Sequence, residues 1–348
     1  MEDNVNEKEI FDTLHPRRLF IPIIIGILVI IYIISRDPSF KLSNLLLIKN
    51  IRISGIVGTL IMLFIRDFLY MFRIRLLTNR QLSWYECFEM IALWEFSSAV
   101  TPSVVGGGVV AVFLFMKNGI SFGRAIAYVM ATSTFDNIFF LITGPFAYFE
   151  LLKDQQFYHD NYWMFAPFGI SYMLILSYVS IMSVTLFFKP TFFKWIMVKI
   201  TTIGVLKRFK DTMIKQSNEL IIASNVLRRN DIKFWMSILV ITLLTWFSRY
   251  AILNCLITCF VDCSLSTHID IMCKHLIMWV TMLISPTPGG SGVVEYCFNC
   301  FYKDMLSNYS IIVSVIWRIV TYYLYLTIGA IMLPNWLKSL KNKRNEER

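Results

Sequence analysis

Two short motifs place proline and clustered glycines inside apolar sequence. Thr101-Pro102-Ser103-Val104-Val105-Gly106-Gly107-Gly108-Val109-Val110 and Ser285-Pro286-Thr287-Pro288-Gly289-Gly290-Ser291-Gly292-Val293-Val294 both read Thr-Pro, then glycines, then Gly-Val-Val. Proline removes a helix hydrogen bond and each glycine weakens a helix by ~1 kcal/mol, so neither stretch is expected to be one straight helix. A helix that restarts after such a break begins with unpaired N–H groups and a partial positive charge. Glycine lets a ligand approach that backbone closely, which makes each motif a candidate anion site suited to a phosphate group. The plainer reading is that Gly106 to Gly108 and Gly289 to Gly292 only permit tight packing or a bend. Matched breaks at corresponding places in two halves of a chain favour the binding reading.

Ionisable side chains inside apolar sequence are the second source of chemistry. Arg66, Asp67, Glu89, Glu95, Asp136, Arg249, Glu295 and Arg318 all fall in such stretches. At a membrane helix centre a charge costs ~2.5 to 3.5 kcal/mol on translocon scales, so each is a functional candidate. Arg249 and Arg318 are suited to a lipid phosphate, and Glu295 to a cationic headgroup or a proton, with Glu95 and Asp136 as further intramembrane acids. Internal pairing is the competing role. It is the expectation for Arg66 with Asp67 near a helix end, and it stands level with ligand binding for Glu295 with Arg318. Cys255, Cys259 and Cys263 recur every four residues near His268, Cys273 and His275, but without a short Cys-x2-Cys knuckle packing is preferred to metal binding. Gly106-x-Gly108-x-x-Ala111 matches a dinucleotide fingerprint in letters only, because no strand precedes it. No nucleotide, zinc-protease or serine-hydrolase motif is present in the sequence, and no cofactor or metal is expected.

The elements that must position these residues are membrane helices. Of 348 residues, 56% are hydrophobic and 16% charged, against about 25% charged in soluble domains. That composition excludes a water-soluble enzyme fold. Charge-poor runs cover about Leu19–Ser35, Ile51–Phe72, Phe88–Met116, Ala125–Phe149, Tyr162–Phe188, Phe234–Val261, His275–Phe301 and Ile311–Leu333, each near or above the ~20 residues that span hydrocarbon. The first run follows a polar segment, residues 1–18, and lacks a small-residue cleavage site, so it is read as an uncleaved helix. Seven cysteines, an odd number mostly in or beside apolar runs, do not suggest a disulfide framework.

Charge sets the topology. The formal charge of +10 lies in loops beside apolar runs and is assigned to orientation, not to nucleic acid. The segment 189–233 holds ten basic residues, whereas Glu150–Asp160 holds three acids and only Lys153. The first is therefore expected in the cytoplasm and the second outside, with the basic tail 338–348 also cytoplasmic. Three full crossings after Phe234 would leave the tail on the wrong side. Parity is restored if His275–Phe301 is a re-entrant hairpin entering from outside and Phe88–Met116 one entering from the cytoplasm, flanked by Arg73, Arg75 and Arg80 before it and Lys117 and Arg124 after it. The expectation is an all-α polytopic membrane protein forming a single domain over 1–348. It has six full helices, two opposed hairpins arranged as an inverted repeat, and both termini in the cytoplasm.

Pro286-Thr287-Pro288-Gly289-Gly290-Ser291-Gly292-Val293-Val294-Glu295 resembles the Pro-x-Pro-Gly-Gly-x-Gly-x-x-Glu pattern of the lysylphosphatidylglycerol synthase transmembrane region. Arg318-Ile319-Val320-Thr321-Tyr322-Tyr323-Leu324 with Gly329 is similar to the last helix of that family, and Thr101-Pro102 through Gly108 with Lys117-Asn118-Gly119-Ile120-Ser121 to its first half. The resemblance implies a flippase-like protein of a bacterial cytoplasmic membrane that moves aminoacylated or other phospholipids, or polyprenyl-linked lipids, between leaflets. Partners would be anionic or phosphate-bearing lipids. Val110, Ala111 and Val112 stand where many members carry a basic residue, and the soluble aminoacyl-transferase domain of full synthases is not expected after the last helix. A membrane enzyme that modifies a lipid headgroup and an assembly protein without a transported ligand are the alternative functions.

Overall fold

The structure, a computed structural model, describes residues 51–101, 104–201, 210–285 and 287–346 together with Leu28 and Ile31. The segment 1–18, most of the run Leu19–Ser35, Pro102 and Pro286 lie outside the described residues. The described chain is helical, without a strand. Its helices are α1 (Ile53–Leu77), α2 (Trp84–Val100), α3 (Val104–Lys117), α4 (Phe122–Leu152), α5 (Gln155–Ser183), α6 (Pro190–Ile200), α7 (Lys210–Arg228), α8 (Ile232–Thr258), α9 (Leu265–Met282), α10 (Val293–Leu306), α11 (Ser310–Arg318) and α12 (Leu324–Glu346). Side-chain caps fix several starts: Ser83 and Glu86 form a reciprocal box, and Asp154, Asp231 and Ser264 cap α5, α8 and α9.

Both proline-glycine motifs turn the chain back on itself. Lys117 at the end of α3 lies 3.2 Å from Glu89 in the first turns of α2, so α2 and α3 form an antiparallel hairpin, A, with its tip at the first motif. Gly107 permits this, since a Cβ there would strike Ser98. Tyr302 of α10 donates to the carbonyl of Ile271 in α9 at 3.1 Å, which makes α9 and α10 the second hairpin, B, with its tip at the second motif. The apolar stretch Val293–Pro334 is helical over 42 residues, but it is not one span. Glu295 and Arg318 are 23 residues apart and only 2.8 Å from each other, where a straight helix would separate them by roughly 35 Å. The reversal occurs at Ser307, which takes φ 46°.

From Ser310 onward α11 and α12 run continuously past both hairpins. Ser310 meets Asn299 near the base of B, Arg318 meets Glu295 at the tip of B, and Tyr322 donates to Ala99 at the tip of A. Gly329 then packs on Phe96, and Trp336 reaches Lys117 at the base of A. The hairpins therefore point at each other from opposite ends of the bundle and their tips meet midway. A π-helical turn, Ile319–Tyr323, marks the meeting point.

Helices α1, α4, α5 and α8 cross the bundle from end to end. Antiparallel α1 and α8 pack closely where Gly55 and Gly58 lie against Cys255 and Cys259. This is also where two members of the cysteine row are used. Helices α6 and α7, the base of A and the end of α12 share one end, since Gly123 at the start of α4 packs on Glu219 of α7 and Phe187 stacks edge-on against Trp235 at the start of α8. The α4–α5 turn, the start of α1 and the base of B share the other, where Phe157 meets Phe301. Helix–hairpin–helix thus occurs twice in opposite orientation, in line with the expectation from charge parity.

One boundary differs from the sequence expectation in a way that matters. Helix α1 continues past Phe72 to Leu77, so Arg73 is no loop residue flanking hairpin A but a buried one facing Asp136. Arg66 is likewise in the middle of α1 and not near its end.

In a background with the seven native cysteines replaced, single cysteines at Ser121 and Ser307, both exposed, are expected to react with a membrane-impermeant thiol reagent from opposite faces of sealed vesicles. Labelling of both from one face would overturn the opposed-hairpin fold.

Candidate functional site

The two tips close on a cavity of about 320 Å³. Hairpin A contributes Ala99, Thr101 and Gly108, and hairpin B contributes Ser285, Thr287, Gly289 and Gly290. The tip of B is shaped by backbone that only glycine takes easily, with φ of 57° at Gly289, 65° at Gly290 and 91° at Gly292. The space where a side chain of Gly289 would stand is filled by the Tyr322 ring, and that residue's hydroxyl donates to the Ala99 carbonyl at 3.0 Å. Tyr322 thus touches both tips.

Behind this tip Glu295 is 1% exposed and both its oxygens are engaged. Oε1 accepts from Arg318 Nε at 2.8 Å and Oε2 from the Gly292 N–H at 2.6 Å. The carboxylate therefore occupies one of the N–H groups that the sequence offered to an anion. Arg318 also donates to Ser291 Oγ at 3.2 Å and lies over the Tyr322 ring at 4.1 Å. It lines the cavity, whereas Glu295 stands behind the wall. The pairing considered for these two residues is the arrangement found.

Two further ion pairs form the wall itself. Arg249 donates to Glu95 at 2.9 Å and to the Tyr70 hydroxyl at 3.1 Å, joining α8, hairpin A and α1. Its guanidinium lies 4.7 Å from the Trp279 ring and 5.4 Å from Trp246, within cation–π range. Arg73 grips both oxygens of Asp136, at 2.6 and 3.1 Å, and Trp246 Nε1 donates to the same carboxylate at 2.8 Å. Just outside the lining, Arg66 bonds Asp67 at 2.7 Å and also the lining residue Tyr325, which in turn donates to Asp67. Three buried arginines, Arg66, Arg73 and Arg318, and the partly buried Arg249 thus each meet a carboxylate. Removing one partner of such a pair costs far more than the pair contributes, because the remaining charge has no solvent.

The sequence residues divide by position. Thr101, Gly108, Gly289, Gly290, Glu95, Asp136, Arg249 and Arg318 line one cavity. Gly106 and Gly107 lie in the first turn of α3, Gly292 and Glu295 begin α10, and Pro288 opens the 3-10 turn before it. Glu89 belongs elsewhere, paired with Lys117 toward the base of A. Arg73, Tyr70, Trp246 and Trp279 are site residues that the sequence reading did not single out. A signal existed for two of them. Tyr70 and Arg73 follow Arg66 by four and seven residues, which places all three on one helical face.

Residues 19–329 match the family model of the lysylphosphatidylglycerol synthase TM region. The chain belongs to this family. It is also similar to a UPF0104 membrane protein of Archaeoglobus fulgidus, 23% identical over 299 residues that cover 80% of this chain and 85% of that protein. Membership in the lysylphosphatidylglycerol synthase TM region family and the long apolar helices together make this an integral membrane protein.

Arg318→Met is expected to lower unfolding stability by about 3 to 5 kcal/mol because it strands a buried Glu295. Adding Glu295→Gln should recover most of that loss. Equal stability of Arg318→Met and wild type in detergent melts would remove the pair from the structural account.

Proposed function

We propose that this protein carries a phospholipid, or another lipid with a phosphate headgroup, between membrane leaflets. The observation that carries the reading is the meeting of two opposed hairpin tips around a cavity walled by Arg249, Glu95 and Arg318. Taking a charged headgroup through hydrocarbon fails for want of polar partners, and this cavity supplies them midway between the two ends. A phosphate arriving there exchanges with Glu95 for Arg249, and the released carboxylate takes a proton or a cationic group of the headgroup. The acyl or prenyl tail stays in lipid throughout.

The end bearing α6, α7 and the α12 terminus faces the cytoplasm in this proposal, because the basic residues of the sequence concentrate in the segments that hold these helices. Both termini are then cytoplasmic and a lipid enters laterally from the inner leaflet. Rocking of the two inverted repeats about the Tyr322 contact opens the cavity to one leaflet at a time. The chemistry is carriage without covalent change, driven by the lipid gradient or by a coupled ion.

Reconstitution in liposomes with tail-labelled phospholipids tests this. Wild type is expected to exchange at least one of them between leaflets faster than empty liposomes, and the recovered lipid should contain no new species. Arg249→Ala and Gly290→Leu should each slow exchange by at least about tenfold, the first by losing a charge-assisted contact and the second by filling the tip of B. Folded wild type that moves no candidate lipid would sink the proposal, and full activity in both variants would sink the site.

A further inference from the structure

The inverted repeat gives most helices a counterpart in the other half. Exchange of the halves sets α1 against α8, hairpin A against hairpin B, and α4 against the α11–α12 run. Asp136 of α4 meets Trp246 of α8 as Tyr325 of α12 meets Arg66 of α1, and nine residues on from each a proline stands inside the helix, Pro145 and Pro334. Helix α5, which opens the second half, lies across α4 and hairpin B. Its Met164 is 3.8 Å from Cys297, Phe157 packs on Phe301, and Phe168 and Tyr172 fill the space beside Gly144. Among the described residues no helix takes the mirrored place on α12 and hairpin A. Hairpin A is also the more open there. Matching Gly108-Val109-Val110 to Gly292-Val293-Val294 pairs Phe113 with Cys297 and Met116 with Cys300. Val109 and Met116 are exposed and Phe113 half-buried, whereas Val293 and Cys300 are half-buried and Cys297 is buried. At Val112, against Tyr296, the order is reversed.

We propose that the apolar run Leu19–Ser35 is the counterpart of α5 and docks along α12 and hairpin A, walling the first hairpin as α5 walls the second. The run precedes α1 as α5 precedes α8, with α6 and α7 as an insertion. Its register follows from a short repeat: Phe20-Ile21-Pro22 answers to Phe165-Ala166-Pro167. That register sets Leu28 against Met173 and Ile31 against Leu176. All four are exposed, at 59% and 62% for the first pair and 56% and 44% for the second. The bundle-facing residues of α5, Met164, Phe168, Ser171 and Ile175, are buried at three- and four-residue spacing. Their counterparts are Leu19, Ile23, Gly26 and Ile30, on the helix face opposite Leu28 and Ile31. Direction agrees as well. Helix α5 starts at the end that holds the base of B, so its inverted counterpart starts at the base of A and finishes at the end where α1 begins. Residues 36–50 join the two, and an extended chain of that length reaches about 50 Å, enough to pass over the outer end of the bundle. The docking follows from the repeat and is independent of the lipid-carrier reading.

The experiment cross-links cysteine pairs in the full chain, in native membranes and without its seven native cysteines, using a short membrane-permeant bifunctional thiol reagent. Leu19→Cys with Phe113→Cys copies the Met164–Cys297 contact, and Ile23→Cys with Leu333→Cys copies Phe168 against Gly144. The control joins Leu333→Cys to Ile24→Cys, one turn before Leu28 on the outward face. Both pairs are expected to link within one chain, at least about fivefold more completely than the control, because the control cysteine points away from α12. If Leu333→Cys does not fold, the Leu19–Phe113 pair decides alone. Folded protein whose cysteines each react singly, yet in which a copied pair forms no link or links no better than the control, would overturn the docking. Links formed only between two chains would overturn it too and assign this face to a second copy.

Discussion

Hydrocarbon does not solvate charge, and the arrangement of this protein follows from how its buried and partly buried arginines are met. Arg66, Arg73, Arg249 and Arg318 each have a carboxylate within 3.0 Å. Three of these pairs join helices distant in sequence: Arg73 of α1 with Asp136 of α4, Arg249 of α8 with Glu95 of hairpin A, and Arg318 of α11 with Glu295 of hairpin B. Exchange of any one partner for a neutral residue leaves a bare charge, so the pairs act as register pins for the bundle. They also hold a cavity open, since a wall of charges that satisfy one another sideways need not collapse inward.

The continuous run of α11 and α12 is the frame on which the two hairpins are mounted. It touches the base of B, the tip of B, the tip of A and the base of A in that order. The π-helical turn lies where the tips meet and directs Tyr322 to both. Such turns are frequently found at functional sites in other helices. Sequence, packing and function converge here: Gly289 leaves room for the Tyr322 ring, the ring supports Arg318, and Arg318 locks Glu295 against the first turn of α10.

Much of this was legible in the sequence. The proline-glycine breaks gave the hairpin tips, and loop charge gave a parity that two opposed hairpins restore, because both signals are local. The tips did prove to line one cavity. Partner choice was harder to read. Arg73 was grouped with loop cations because apolar composition ends near Phe72, while the helix runs on to Leu77 and carries Arg73 to Asp136. The openness of the α10 start was overstated, since capping by Glu295 three residues on depends on where its carboxylate turns. The Arg249–Glu95 pair spans 154 residues, and no periodicity encodes a contact of that separation.

The claim on which site and mechanism both depend is that the two tips meet inside the bundle. Cysteines placed at Thr101 and Thr287, one on each tip and both on the cavity wall, test it directly in native membranes with a short bifunctional thiol reagent, in protein lacking its other cysteines. The account predicts an intramolecular cross-link, visible as a joined peptide after proteolysis between the hairpins. Folded protein that reacts at both positions yet forms no such link would contradict it.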